Sequence, residues 1–142
     1  MTTRHRRRLP DRRRGAAATE FAIVAPVFFL VVFSLFEFTW LNIVRHTADN
    51  AAYEAARVAI VPGATAGDAV AEAERILRTV GVRSATVTVD PSTITTATDR
   101  VTVTVDAPFD ANAIITPIWA GGATLTSNAT LLAERVRSRA AP

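Results

Sequence analysis

The residues best placed to take part in chemistry lie at the end of a basic leader. Arg14-Gly15-Ala16-Ala17-Ala18-Thr19-Glu20-Phe21 closes an Arg-rich stretch with a glycine, sets a carboxylate five residues later and starts an apolar run directly after it. A lone carboxylate at the head of a membrane-length helix is expensive and calls for a compensating charge. A cut after Gly15 would create one, an α-ammonium on Ala16. Ala16 and Glu20 are then i and i+4, neighbours on one helix face. Glu20 could neutralise its own new terminus or that of a neighbouring copy. If the chain stays whole, Glu20 reads instead as an N-terminal acid favoured by the helix dipole.

Nothing else in the chain has catalytic spacing. The two histidines are His5, in the leader, and His46, just beyond the apolar run. Neither has a second ligand or a nucleophile at motif distance. No glycine-rich phosphate loop occurs. There is no Cys, which excludes disulfides, thiol catalysis and thiolate metal sites and leaves the redox compartment undecided. The expectation is a protein that is not an enzyme, with no cofactor and no metal.

Charge divides the chain. Residues 1–15 hold seven Arg and one Asp, whereas the remainder is mildly acidic. Such a leader buries no apolar surface and reads as disordered. Arg runs can bind nucleic acid. Beside an apolar span, however, they set topology, with the N-terminus cytoplasmic and the C-terminus outside. No nucleic-acid partner is expected. From Phe21 to Phe36 no residue is charged, and Ala16–Val44 is interrupted only by Glu20 and Glu37. At 1.5 Å per residue that segment spans roughly 43 Å, enough for a bilayer with its headgroup zones. Pro26 lies near its start, and membrane helices tolerate such a residue. Trp40 falls near the outer end, where amphipathic rings favour the interface. A secretory signal has the same basic and apolar parts, but the apolar core is long for one and no Ala-x-Ala site follows before the helix continues. Glu37, 17 residues after Glu20, is either hydrated at the outer interface or used in packing.

The junction resembles the type III signal of type IV prepilins. In that family a membrane peptidase cuts after the Gly, and the Glu at mature position five guides assembly. Carried over, the processing residues are Gly15, Ala16, Glu20 and Phe21. A small residue after the Gly, and Glu-Phe rather than Glu-Tyr, are similar to the TadE-like minor pseudopilins of the tight-adherence (Flp pilus) branch. Residues 14–57, through Phe36-Glu37-Phe38 to Asn50-Ala51-Ala52-Tyr53-Glu54-Ala55-Ala56-Arg57, look like the whole TadE-like segment. Val101–Phe109 and Leu125–Thr130 are weaker similarities. The resemblance implies a minor pseudopilin that helps assemble or initiate a Flp-type pilus. It would sit in the bacterial inner membrane as a single-pass protein and could enter the pilus itself. The implied partners are the prepilin peptidase, the inner-membrane pilus platform, other pilins and membrane lipid. The rival reading is an uncleaved single-span protein with an extracytoplasmic binding head.

The rest of the chain must position that junction and display a head. Val44, Ala48, Ala51, Ala52, Ala55 and Ala59 recur at helical spacing as a stripe of small residues. Small residues let helices approach closely. The stripe can serve packing between neighbouring helices, with Ala48, Ala51, Ala52 and Ala55 at its centre, or packing on the protein's own sheet. Pro62-Gly63 ends the helix. Ala66–Val80 reads as a second amphipathic helix, with Thr65 as N-cap, Gly81 as stop and Glu74 and Arg78 paired at i,i+4. Alternating apolar and polar residues mark strands over Ser84–Asp90 and Arg100–Phe109, and a third is expected over Ala123–Leu132. Asp110–Gly122 is unusually apolar for a loop, with Ile114, Ile115, Pro117, Ile118 and Trp119. It either caps the core or faces a partner.

The fold class is therefore α+β and pilin-like. A basic leader occupies 1–15, and a long N-terminal helix occupies 16–61 with its membrane part at about 21–44. An extracytoplasmic head of one amphipathic helix and a small antiparallel sheet of about three strands occupies 65–142.

Overall fold

The computed structural model of the chain describes residues 12–114 and 122–133. It is an α+β protein. Its elements are α1 (Arg12–Ala59), α2 (Ala66–Val80), β1 (Thr86–Asp90), β2 (Arg100–Pro108), the single-turn α3 (Phe109–Asn112) and β3 (Thr124–Leu132). The chain forms two units, Met1–Phe36 and Glu37–Pro142. Leader residues 1–11 and the apolar residues Ile115, Pro117, Ile118 and Trp119 lie outside the described residues.

The first unit is the apolar part of α1. The helix starts at Arg12, four residues before the expected Ala16, so the end of the leader is helical rather than disordered. Arg is a good helix former, and once a helix exists each added residue gains a hydrogen bond. Twelve large apolar side chains from Phe21 to Phe38 are more than half exposed, among them Phe21 at 70%. Left in water they would cost on the order of 10–20 kcal/mol, so this surface requires an apolar environment. Among the described residues this is the one helix long and apolar enough to cross a membrane. Its hydroxyls are satisfied internally. Thr19 Oγ1 donates to the Gly15 carbonyl at 3.0 Å and Ser34 Oγ to the Leu30 carbonyl at 2.8 Å. Such i to i−4 bonds leave no donor to be desolvated in lipid. Pro26 sits within the helix, as membrane helices allow.

The second unit is the head. The strands pair antiparallel in the order β1-β2-β3. Val87 faces Val105 across one ladder, and Val105 faces Ser127 across the other. Central strand β2 alternates strictly, with Val101, Val103, Val105 and Ala107 fully buried between less buried neighbours. The buried face packs with the later part of α1 and with Ala69, Ala73, Ile76 and Leu77 of α2. The opposite face is threonine-rich. Thr102 and Thr130 share a hydroxyl hydrogen bond at 2.9 Å, and Thr126 donates to the Asp106 carboxylate at 2.6 Å. These are directly opposed cross-strand pairs, the unit of sheet stabilisation.

The stripe of small residues on α1 is used inside the molecule. Ala48, Ala51, Ala52, Ala55 and Ala59 are all fully buried in the head's own core, with Ala56 beside them. Of the two uses open to the stripe, this is packing on the protein's own sheet. The largest fully buried side chains are valines, so the core is made of small pieces closely fitted. One polar bond ties this helix to the edge of the sheet, where Ser127 Oγ donates to Asp49 Oδ1 at 2.5 Å.

α2 has the expected bounds and ends. Thr65 caps it in a full capping box, and Gly81 closes it in the left-handed region at φ 81°. Only glycine adopts that angle without strain. Glu74 pairs with Arg78 as anticipated, and Glu72 also chelates Arg75. α1 stops at Ala59, two residues early, and α3 was not foreseen. Helix ends fray by such amounts. A single turn carries too little periodicity to be read from a sequence.

Two predictions follow from this packing. Ala52→Leu adds volume to a core that has none to spare and should destabilise the head by about 1–3 kcal/mol. Denaturant unfolding of the full chain in non-ionic detergent reads that loss, and an unchanged midpoint would contradict the close packing. The Asp68 carboxylate accepts from the backbone N–H and then the hydroxyl of Thr65, at 2.8 and 2.7 Å, and these bonds hold its pKa below the ordinary 3.8. A depressed folded pKa contributes stability above the unfolded value and loses it as pH falls through the folded one. Acidification below 3.8 should therefore loosen α2 in the parent and less so in Asp68→Asn, read by circular dichroism.

Candidate functional site

The junction residues Gly15, Ala16, Glu20 and Phe21 all lie on α1, and all are exposed. The helix is continuous from Ala16 to Glu20, so the i,i+4 relation expected between them holds along its backbone. Nothing among the described residues demands a glycine at position 15 for space. A Cβ built there meets no atom within 4 Å. Gly15 is therefore a helical glycine with no packing role, at a helix-propensity cost of about 1 kcal/mol against Ala. The neighbouring Thr19 hydroxyl rests on its carbonyl.

The second constellation is built where the head meets the first turn of its share of α1. Glu37, left open between hydration and packing, has a defined partner. Its two carboxylate oxygens accept from the Ile114 backbone N–H at 3.0 and 3.1 Å. One turn on, Trp40 Nε1 donates to the Asn112 carbonyl at 2.6 Å. A carboxylate that accepts from a backbone amide makes a charge-assisted hydrogen bond, stronger than a neutral one. The indole keeps its apolar ring while its one donor is satisfied.

Asn112 holds this arrangement together from below. It is 5% exposed, a rare buried polar residue in the head. Its Oδ1 accepts from the Arg83 backbone N–H at 2.8 Å. Its Nδ2 donates to the Arg83 carbonyl at 2.9 Å and to the Pro108 carbonyl at 2.8 Å. One side chain thus clamps the segment after α2 to the end of β2, and its own carbonyl carries Trp40. Asp110 closes the other side of this turn by accepting from the Gly122 N–H at 3.0 Å. α3 is the short element that makes the clamp possible, since it turns Asn112 inward directly after the central strand.

A cavity of about 440 Å³ opens beside the clamp, lined by residues that include Trp40, Val80, Arg83, Asn112 and Ile114. Its walls are about equally polar and apolar, and Arg83 is the one ionisable residue among its lining residues. Among the described residues no group of three or more His, Cys, Asp or Glu could hold a metal ion. His46 is exposed beyond Trp40 on α1.

Sequence reasoning placed Glu37 and Trp40 near the outer interface and missed what they bind. It also missed Asn112 and the backbone of Arg83. The available signal was an asparagine within one turn of the end of a strongly alternating strand, where a buried amide commonly stitches a turn. Asn112→Ala should leave the Arg83 N–H and two carbonyls without partners and destabilise the head by about 1–3 kcal/mol. Denaturant unfolding followed by tryptophan emission measures it, and a loss near zero would mean that water replaces the clamp.

Residues 15–57 match the family model described as TadE-like protein. The match supports a TadE-like protein of the tight-adherence system, and it covers nearly all of α1 while stopping short of the rest of the head. No curated protein and no solved structure matches the chain.

Proposed function

With its long helix TadE-like, we propose that this protein is a minor pseudopilin that helps initiate or assemble a Flp-type pilus, after a prepilin peptidase removes residues 1–15. The observation that carries the reading is the family match over residues 15–57, which begins at the glycine of the proposed cut. The physical features agree with it. Gly15 has no packing duty among the described residues, and a glycine weakens the helix locally, which eases the opening that a peptidase needs at the Gly15–Ala16 bond. Cleavage puts an ammonium one turn from Glu20, and the pair then offsets two charges that would each be costly in lipid.

In this reading α1 spans the bacterial inner membrane once. The leader stays cytoplasmic, because clustered Arg beside a span is retained on that side, and the head lies outside. The partners are the peptidase, the membrane platform of the pilus and other pilins. The head, with its own core enclosing the Ala48–Ala59 stripe, leaves the exposed apolar part of α1 as the surface for contact with lipid or neighbouring helices.

Mass spectrometry of the membrane fraction decides the cut. The mature chain should begin at Ala16 when the peptidase is present and at Met1 when it is not. Gly15→Ala should block processing. Glu20→Ala should be processed normally yet fail to support assembly. An intact Met1 terminus in cells that make the peptidase would favour an uncleaved single-span protein with a binding head.

A further inference from the structure

The sheet of the head has two outer edges, and they are not alike. β1 is five residues long, closes at Asp90-Pro91 and has α2 beside it. β3 is nine residues long, roughly 30 Å, and Thr124–Leu132 holds no charge and no proline. Short strands, charges and prolines are what guard an edge against pairing. β1 carries such guards and β3 carries none.

The ladder fixes which backbone groups of β3 point outward. At its two ends the Phe109 N–H donates to the Ala123 carbonyl and the Ala133 N–H to the Asp99 carbonyl, both at 2.9 Å. Both pairs continue the register of β2 on β3, so the odd-numbered residues of β3 are the hydrogen-bonded ones. The even-numbered Thr124, Thr126, Asn128, Thr130 and Leu132 turn their N–H and C=O away from β2. Among the described residues none of these backbone groups has a partner. The close side-chain pairs Thr102–Thr130 and Thr126–Asp106 fit this assignment, since side chains meet most closely at non-hydrogen-bonded positions.

The side chains alternate as well. Leu125, Ala129 and Leu131 are partly buried against the core, whereas Thr124, Thr126, Asn128 and Thr130 are exposed on the other face. An incoming strand with apolar residues beside the leucines and hydroxyl residues beside the threonines would extend both faces. Residues Leu125 to Leu131 read nearly the same in both directions about Asn128. Antiparallel pairing with a second β3 would therefore set Leu opposite Leu and Thr opposite Thr. The two-fold that does so stands perpendicular to the sheet. It turns the Ala48–Ala59 part of α1, which packs on that sheet, end for end. The two chains would then enter their heads from opposite ends, whereas chains anchored in one membrane enter from one side. A free strand of the same pattern is not under that constraint.

We propose that the outer edge of β3 takes up an extended segment of a different protein as an antiparallel fourth strand, a segment that is uncharged and alternates between apolar and hydroxyl-bearing residues. Its backbone supplies the affinity and its alternation the specificity. An edge roughly 30 Å long and about 10 Å deep is small beside a standard interface, so the contact belongs to the weak, exchangeable class. β3 lies beyond the residues 15–57 that match the family, and only the exclusion of a second copy uses the single-membrane reading.

The probe is a fluorescent peptide with the sequence of Thr124–Leu132, a free strand that matches the edge antiparallel. Titration with the full chain in non-ionic detergent should raise its anisotropy to saturation. A peptide N-methylated at its central Asn loses a donor and meets the edge with a methyl group, and it should bind at least about tenfold more weakly. N-methylation at the neighbouring Ala, whose N–H points away in that register, should leave binding unchanged. On the protein, Asn128→Pro should weaken binding to the same degree, because it removes an outward N–H and no ladder bond. Asn128→Ala, which keeps that N–H, should bind like the parent. Absence of binding overturns the proposal, and so does equal binding of the two methylated peptides, which would mark uptake into detergent. Efficient disulfide pairing of the full chain carrying Asn128→Cys also overturns it, since the chain has no cysteine of its own and the product would put a second copy on the edge. The N-terminus found at Ala16 or Met1 leaves these outcomes untouched.

Discussion

Everything in the head depends on how closely α1 can approach the sheet. The face it presents is alanine at six positions from Ala48 to Ala59, all fully buried. An alanine face removes almost no side-chain entropy when it packs and lets the backbone come nearer than a leucine face would. The sheet answers with valines, whose branched side chains are stiff and fill a thin layer well. The resulting core is small, and small cores are marginal. The polar bond between Ser127 and Asp49 adds a directional contact at the edge, where apolar packing alone would leave the register of helix on sheet less defined.

A second constraint acts at the start of this unit. The head must grip α1 at its first turn. Glu37 and Trp40 occupy that turn, and the backbone from Asn112 to Ile114 meets both. The meeting works because Asn112 fixes its own turn to the Arg83 segment with three hydrogen bonds. A carboxylate and an indole that look like ordinary interface residues therefore help to seat the head. Loss of Asn112 would therefore be felt at Trp40 although the two are 72 residues apart in the chain.

Much of this was legible in the sequence, and the reasons are physical. α2 was read to the residue because its moment is strong and both ends carry capping signals, Thr65 with Asp68 and Gly81. The central strand was legible because valine and threonine alternate without exception from Val101 to Val105. Glu20, Gly15 and the span stood out because a charge beside a long apolar run is rare. What stayed hidden depends on contacts between distant segments. The alanine stripe announces close packing but not its partner, since a neighbouring copy and the protein's own sheet impose the same pattern. The role of Glu37 needed Ile114, and that of Asn112 needed Arg83. No local pattern joins such pairs. The start of α1 at Arg12 shows the opposite limit, because a continuing helix absorbs flanking residues that carry no periodic signal of their own.

The uncharged stretch between Glu20 and Glu37 has a further consequence. It holds 16 residues, Phe21 to Phe36, bounded by a carboxylate at each end. In a bilayer, sliding the helix along its axis in either direction would carry one of the two charges towards the hydrocarbon, at a cost. The two acids would then act together as a depth gauge, restoring the helix from displacement either way.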